Sequence, residues 1–176
     1  MLMPKNAYLK TSYMGTSPNT KAPVFILLFM ALYINACAQS ASSSTVEYFG
    51  STPCDSLIRK SSGIASGMVC DFIKWNIEID GLNNDSGAVR ISYNYGESQP
   101  NTNGFKQGGI TKQLNGKYYL VKTSSARKRF HVRSNDNVVE LWLMEMDKNI
   151  LLFTDTEGKL MVGNAGNSYV LNRVRE

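Results

Sequence analysis

The chain has 176 residues, a length typical of a single domain, and 43% of them are hydrophobic, which is enough to bury a real core. Its formal net charge is +5, but Lys5, Lys10 and Lys21 all precede the first acidic residue. Without those three lysines, 16 Lys+Arg face 14 Asp+Glu, a net charge of only +2, so we expect no nucleic-acid partner.

Residues 1–36 have the pattern of a secretory signal peptide. A positively charged stretch up to Lys21 is followed by an apolar run from Ala22 to Ile34 and then by small residues. A helix of that apolar length spans only about 20 Å, well short of the roughly 30 Å hydrocarbon core of a bilayer. We therefore expect removal of residues 1–36 rather than a permanent transmembrane helix.

Ile34-Asn35-Ala36-Cys37 resembles a bacterial lipobox, with an aliphatic residue at −3, a small residue at −1 and the obligatory cysteine. The resemblance implies lipidation of Cys37, and two or more acyl chains would anchor the protein stably in a membrane. The alternative is ordinary signal cleavage, because Ala36-Cys37-Ala38 also fits the small-x-small rule. Residues 37–44 are then the lipidated cysteine and a flexible tether, which is small and polar.

Two cysteines remain once Cys37 is assigned to lipid, namely Cys54 and Cys70. In an oxidising compartment such a pair predicts a disulfide. Two free thiols or a metal pair are the alternatives, although a zinc site would need more Cys or His ligands than the chain offers.

The first elements predicted along residues 45–176 are a strand at Val46–Phe49 and a short helix. Thr52 is the predicted N-cap and Pro53 the first helical residue, with Asp55 three positions after the cap. The helix is expected to end near Lys60, before a stretch rich in serine and glycine.

The next two segments predict an antiparallel hairpin. From Asp71 to Asp80 apolar and polar residues alternate strictly, which places Trp75 on the buried face. After a turn-rich connector the alternation returns, with Tyr93 and Tyr95 on the buried face. Gly96–Gly109 is a long polar segment, predicted to be a mobile loop.

The rest of the chain predicts further short strands. Ile110–Leu114 and Lys117–Lys122 flank Asn115-Gly116, a strong hairpin signal. The remaining predicted strands are Arg129–Arg133, Val138–Met146, Ile150–Asp155, Leu160–Gly163 and Ser168–Val174. Nine or ten strands with short connections predict a mostly β domain. The expected fold is a small antiparallel up-and-down meander that closes into a lipocalin-like barrel or folds into a sandwich, since both protect its edges.

Candidate catalytic residues are few. His131 is the only histidine, and Arg129 and Arg133 flank it on the same strand face, so no carboxylate is predicted to orient it. A solvent-facing histidine is the preferred interpretation. Nothing fixes the geometry of a carboxylate pair, and no phosphate-binding glycine motif occurs. We expect neither enzymatic activity nor a cofactor.

Two further clusters have a structural and a functional interpretation. Arg127–Arg129 together with Arg133 form a basic cluster that would meet anionic headgroups, although solvated charges that protect a sheet edge are favoured. Trp142, Met144 and Met146 share one strand face, which favours core packing. The thioethers of Met144 and Met146 suit copper(I), which is the weaker alternative.

Tyr48-Phe49-Gly50-Ser51-Thr52-Pro53-Cys54 resembles the opening of the N-terminal domain of copper-resistance, NlpE-like outer-membrane lipoproteins. The chain also resembles uncharacterised lipocalin-like envelope lipoproteins. Both resemblances imply an envelope lipoprotein with a small barrel. The C-x-x-C of the copper-resistance family is replaced by Cys54 and Cys70, which argues against a thiol-based metal or redox role.

These observations predict a membrane-anchored module that binds or senses a small apolar ligand or an envelope protein. The candidate ligand-binding residues are Trp75, Tyr93, Tyr95 and Trp142, near a barrel mouth framed by a loop. By resemblance to lipoprotein sorting, Ala38 after the lipidated cysteine predicts the outer membrane, with the domain facing the periplasm. The alternatives are a structural, partner-docking protein without a ligand, which a packed interior would favour, and a copper-related stress lipoprotein.

Overall fold

The computed structural model describes residues 44–122 and 127–174. The predicted signal peptide, Cys37 and all of the tether except its last residue lie outside the described residues. Among the described residues, no helix has the length and apolarity needed to cross a membrane.

The described residues form eight strands and one short α-helix. In chain order these are β1 (Thr45–Pro53), α1 (Ser56–Ser61), β2 (Phe72–Asp80), β3 (Ser86–Gly96), β4 (Ile110–Val121), β5 (Arg129–Ser134), β6 (Glu140–Asp147), β7 (Ile150–Thr154) and β8 (Val170–Arg173). Each strand pairs antiparallel with the next, and β8 pairs with β1, so the sheet closes into a barrel. The predicted up-and-down barrel is confirmed and the sandwich is excluded. Closure satisfies the backbone groups that an open sheet would expose at its edges.

Alternate side chains of the strands fill the barrel. On β2 the predicted inward face is confirmed, because Trp75 and the three isoleucines of that strand are all buried. The Trp75 ring lies 5.1 Å from the ring of Tyr93 and 5.6 Å from that of Phe153. Its indole N–H donates to Thr52 Oγ1 at 2.9 Å, so the polar end of this large side chain is satisfied inside the core.

Helix α1 begins later than the sequence predicts. Thr52 and Pro53 continue β1 and pair with β2, and Asp55 is the N-cap, its carboxylate accepting from Ile58 N at 3.0 Å. The prediction was wrong because the Thr52 hydroxyl accepts the Trp75 indole N–H in the barrel wall. Burial and sheet pairing outweigh the capping preference of a threonine.

The predicted Cys54–Cys70 disulfide is confirmed, with Cα atoms 5.8 Å apart. It joins the end of β1 to the residues just before β2. Arg59, which lies in the segment between the two cysteines, stabilises that segment. Its guanidinium donates to the carbonyls of Cys54 at 3.1 Å, Met68 at 2.8 Å and Cys70 at 3.1 Å. The link between the first two strands is therefore fixed both covalently and by hydrogen bonds.

Strand β4 runs without interruption through Asn115-Gly116, so the predicted hairpin at this dipeptide is wrong. Gly116 pairs with Val89 of β3 on one side and with Ser134 of β5 on the other. A type I′ turn needs positive φ at both central residues, and neither Asn115 nor Gly116 has it. The glycine instead permits close approach of backbones, because a Cβ at this position would overlap the carbonyl oxygen of Arg133.

Replacing Gly116 with alanine should lower the free energy of unfolding by about 1–3 kcal/mol, the usual cost of overpacking. A Cβ on Gly116 would lie only 2.8 Å from Ser134 Cα, and a backbone atom cannot rotate away. Urea unfolding followed by circular dichroism measures the change. Gly67→Ala is the matched control, since a Cβ there meets nothing within 4 Å. Equal stability of the two variants would contradict the close approach of β4 and β5.

The predicted strand at Leu160–Gly163 is also wrong. Leu160 forms only an isolated bridge with Thr154, and Met161 N donates to Phe153 O at 3.1 Å. The segment after β7 folds back on the end of that strand instead of entering the barrel wall. Its apolar residues predicted a strand. However, β8 pairs with both β7 and β1, so the barrel closes without a strand at this segment.

Candidate functional site

The structure brings three of the four predicted ligand-binding residues together inside the barrel. Trp75, Tyr93 and Tyr95 are all buried, and the two tyrosine rings stack at 6.1 Å. The Tyr93 hydroxyl donates to Ser62 O at 2.7 Å, and desolvation by burial raises the pKa of Tyr93 to about 12. These residues pack against one another as part of the core.

Trp142, the fourth residue, lies on the outer surface of the barrel. Leu141 and Leu143 are the inward residues of β6, which leaves Trp142 and Met144 on the opposite face, while Met146 lies at the irregularity between Glu145 and Asp147. The prediction that this stripe packs in the core is therefore wrong. Both faces of β6 carry large apolar side chains, so alternation alone cannot show which face is buried.

Trp142 belongs to a row of four outward side chains that are direct neighbours across four strands. This outer row consists of Tyr119 on β4, His131 on β5, Trp142 on β6 and Thr154 on β7. The His131 imidazole stacks on the indole with centroids 4.2 Å apart. The guanidinium carbon of Arg129 lies 4.4 Å from the indole centroid, a cation–π contact that holds the ring against the sheet.

His131 has a carboxylate partner, contrary to prediction. Glu140 Oε1 lies 2.7 Å from His131 Nε2, although Glu140 is paired in register with Arg133. The sequence shows only the two arginines on the same strand, whereas the acid arrives from the neighbouring strand. The contact fixes the imidazole against Trp142.

The basic cluster of the sequence does not form one surface. Lys128 Nζ lies 3.7 Å from a carboxylate oxygen of Glu145, and Arg129 is buried with its guanidinium donating to Asp155 O at 2.6 Å. Arg133 lies instead beside Lys117, its direct partner across β4 and β5. Among the described residues, no group of three or more His, Cys, Asp or Glu side chains is placed to hold a metal ion.

One end of the outer row opens into a groove of about 340 Å³, here called the outer groove. Its apolar lining comes from Leu57 on α1, Val138 in the β5–β6 turn and Met161 after β7. Trp142 and Thr154 also line it, together with polar and charged residues that include Lys60, Glu140 and Asp155. The groove exists because the helix, a turn and a loop stand above the same part of the barrel wall.

Two polar atoms of the outer groove lack partners. Trp142 Nε1 and Thr154 Oγ1 are buried and make no hydrogen bond within the described residues. Thr154 is only 4% exposed, and it lies directly opposite Trp142 across β6 and β7. A buried polar group without a partner costs roughly 1–3 kcal/mol, so a ligand oxygen that reached these two atoms after a small movement of their side chains would bind at a favourable gain.

The loop that borders the groove is held by Asp155. Its carboxylate accepts from the backbone N–H groups of Lys159 and Glu157, each at 2.9 Å. The hydrogen bond from Lys159 is the main reason that the pKa of Asp155 is lowered. The ionised carboxylate therefore stabilises the loop next to Thr154.

We expect the loop bordering the outer groove to loosen in acid. Because the folded-state pKa of Asp155 is lowered, its stabilising contribution is complete above the ordinary carboxyl pKa of about 4 and is lost as the pH falls through the lower folded value. The amide signals of Glu157 and Lys159 should report this loss in an NMR pH titration. Asp155→Asn should abolish the titration, while Asp136→Asn, a change in a separate turn, should leave it intact. A midpoint at or above the ordinary value would contradict the expectation.

Sequence reasoning missed Leu57, Val138, Thr154 and Met161 as site residues. They lie far apart along the chain, and no motif or periodicity connects them. No protein-family model, no curated protein and no solved structure matches this chain.

Proposed function

We propose that the chain is a lipid-anchored envelope protein whose barrel acts as a binding module, with the outer groove as its binding site. The observation that carries this proposal is the pair of unpartnered polar atoms, Trp142 Nε1 and Thr154 Oγ1, in a groove that combines apolar side chains with polar and charged ones. Its volume, about 340 Å³, falls within the usual range for small-molecule pockets.

The barrel interior offers weaker support for a ligand. Trp75, Tyr93 and Phe153 meet ring to ring across it, and the Trp75 indole N–H already has Thr52 as its acceptor. A ligand placed there would have to displace side chains that pack at close to crystalline density. Binding in the outer groove leaves these core contacts in place.

The groove favours a small, mostly apolar ligand with one acceptor group. Leu57 and Val138 present exposed apolar surface for its body. A carbonyl or carboxylate oxygen would accept from the Trp142 indole N–H, which is only a donor, and from the Thr154 hydroxyl. The exposed apolar rim also supports the second candidate, an envelope protein that docks one apolar side chain in the same groove.

The copper-related role remains the weaker proposal. Met144 lies on the outer face of β6 and is paired in register with Arg129, while Met146 lies at the irregularity of that strand. A guanidinium next to a thioether works against binding of a cation there.

Decanoate, an apolar chain with a carboxylate, tests the binding proposal, because the protein has only two indole N–H signals for NMR, Trp75 and Trp142. We expect the Trp142 signal to shift and the Trp75 signal to stay. Thr154→Val should weaken decanoate binding while leaving the fold as stable or more stable, since the hydroxyl it removes has no partner. A shift of Trp75 alone would place the ligand inside the barrel, and no shift of either would contradict the proposal.

Intact-mass spectrometry of the protein purified from membranes tests the anchor. A chain that begins at Cys37 and carries added acyl mass would support it. The tether of residues 37–44 would then hold the barrel within about 25–30 Å of the membrane surface. A chain that begins near Gln39 without lipid, or one that keeps residues 1–36, would contradict the anchor.

A further inference from the structure

We propose a second binding site, beside the outer groove and sharing Asn137 with it, that takes a phosphate group carried on a flat organic moiety. This cationic cleft is formed by Lys117 and Tyr119 of β4, Arg133 of β5, and Asn135 and Asn137 of the β5–β6 turn. Its volume is about 450 Å³. The site does not depend on the proposed function of the outer groove.

The first argument is the pairing of like charges. Lys117 and Arg133 are direct cross-strand partners on the outer face, the geometry in which two like charges destabilise a sheet. Within the described residues, neither side chain makes an ion pair or a hydrogen bond. An anion placed between them would convert this repulsion into two attractive contacts.

The second argument is that the nearby carboxylates are engaged elsewhere. Glu140 is the register partner of Arg133 on β6, but its carboxylate lies 2.7 Å from His131 Nε2. Asp136 accepts from Ser134 Oγ at 2.5 Å and from Val138 N at 3.1 Å. Neither carboxylate forms an ion pair with Lys117 or Arg133, so the N–H donors of these two cations remain open to an external anion.

The third argument is the chemistry of the groups that line the cleft. A guanidinium offers a planar fork of donors that matches two phosphate oxygens, and an ammonium adds a compact charge. The amides of Asn135 and Asn137 supply further donors at the same cleft. This set of donors suits a phosphate group better than a single surface lysine would.

The fourth argument concerns the group that carries the phosphate. Tyr119 is 46% exposed and sits in the outer row with its ring 6.4 Å from that of His131. An exposed aromatic ring next to two cations can support a flat ring while the phosphate is held beside it. The phosphate could come from a soluble ester or from a lipid headgroup, and the two sources need separate probes.

Phenyl phosphate is the probe for a soluble ester, and dihexanoylphosphatidylglycerol, kept below its micelle concentration, is the probe for a headgroup. Dihexanoylphosphatidylcholine, whose own ammonium group offsets its phosphate, is the comparison lipid. We expect amide shifts at Tyr119, Arg133 and Asn135 with at least one of the first two probes. Response to phenyl phosphate supports the proposal with a soluble source, whereas response to the phosphatidylglycerol alone identifies a lipid headgroup and overturns the flat carrier, because a glycerol headgroup has no ring.

Substitutions distinguish binding at the cleft itself from general electrostatic attraction of the probes to the protein surface. Lys117→Gln and Arg133→Gln should each weaken binding roughly tenfold, the order expected when one charge-assisted hydrogen bond is lost. Arg90→Gln is the matched control, because it removes one positive charge from a residue already bonded to Glu78, and it should change binding less than twofold. Tyr119→Leu should weaken phenyl phosphate but not inorganic phosphate.

Loss of folding would not explain these effects, because removing one of two opposed cations should leave the unfolding midpoint unchanged or raise it. The proposal is overturned if neither probe shifts the cleft residues at millimolar concentration. It is also overturned if Arg90→Gln weakens binding as much as Arg133→Gln does.

Discussion

Replacing Trp75 with alanine is expected to lower the free energy of unfolding by about 3–5 kcal/mol, the usual cost of truncating a large buried aromatic. Trp75 is 1% exposed, and its ring meets those of Tyr93 and Phe153. The substitution removes these contacts and leaves a cavity that three neighbouring strands cannot close. It also leaves the Thr52 hydroxyl without the indole N–H that it accepts.

Urea unfolding measures the free energy of unfolding of Trp75→Ala, and Trp142→Ala is the matched comparison. Trp142 is a tryptophan of the same sheet but lies on the outside, partly exposed, so its truncation should cost clearly less. The comparison is followed by circular dichroism, because each variant loses one of the two fluorescent reporters. If the two variants were equally destabilised, Trp75 would not occupy a packed interior.

Loss of the Cys54–Cys70 disulfide is expected to lower the free energy of unfolding by about 3 kcal/mol in the chain-entropy model. The bond links residues 16 positions apart, so its removal lets the unfolded chain explore more conformations. The Cys54→Ala, Cys70→Ala double variant avoids a new thiol, and urea unfolding measures the loss. The hydrogen bonds of Arg59 to the Cys54 and Cys70 carbonyls should keep the folded segment in place.

A reductant provides the control for this prediction. Reduction should destabilise the unmodified protein by about as much as the double substitution and should leave the double variant unchanged. A reductant effect on the double variant would mean that another bond is being broken. Equal stability of the protein with and without reductant would contradict a structural disulfide in solution.

Much of the fold could be predicted from local patterns. The strand containing Trp75 alternates strictly, so one face had to be buried, and the paired strand with Tyr93 and Tyr95 has the same pattern. The number of short strands with short connections then predicted either a closed barrel or a sandwich, and the structure has the barrel. The cysteine pair was predictable because, with export expected and Cys37 assigned to lipid, only two cysteines remained.

Local patterns gave wrong predictions where the same sequence pattern fits two different structures. Asn115-Gly116 is a hairpin signal, but Gly116 lies within β4, where the lack of a side chain lets the backbone of β5 approach closely. On β6 both faces are apolar, so the pattern did not show that Leu143 faces in and Trp142 faces out. In both cases tertiary packing outweighed local preference.

The alternating faces of β2 and β3, and the cysteines that join β1 to β2, could be predicted from the sequence, whereas the uninterrupted course of β4 and the non-strand conformation of Leu160–Gly163 could not. The tertiary structure alone decided which side chains meet on the outer face: Lys117 with Arg133, His131 with Glu140, and Trp142 with Thr154. The physical reason is register. Sliding a strand by two residues keeps every side chain on its own face but gives it different partners, and only closure and packing of the whole barrel select one alignment.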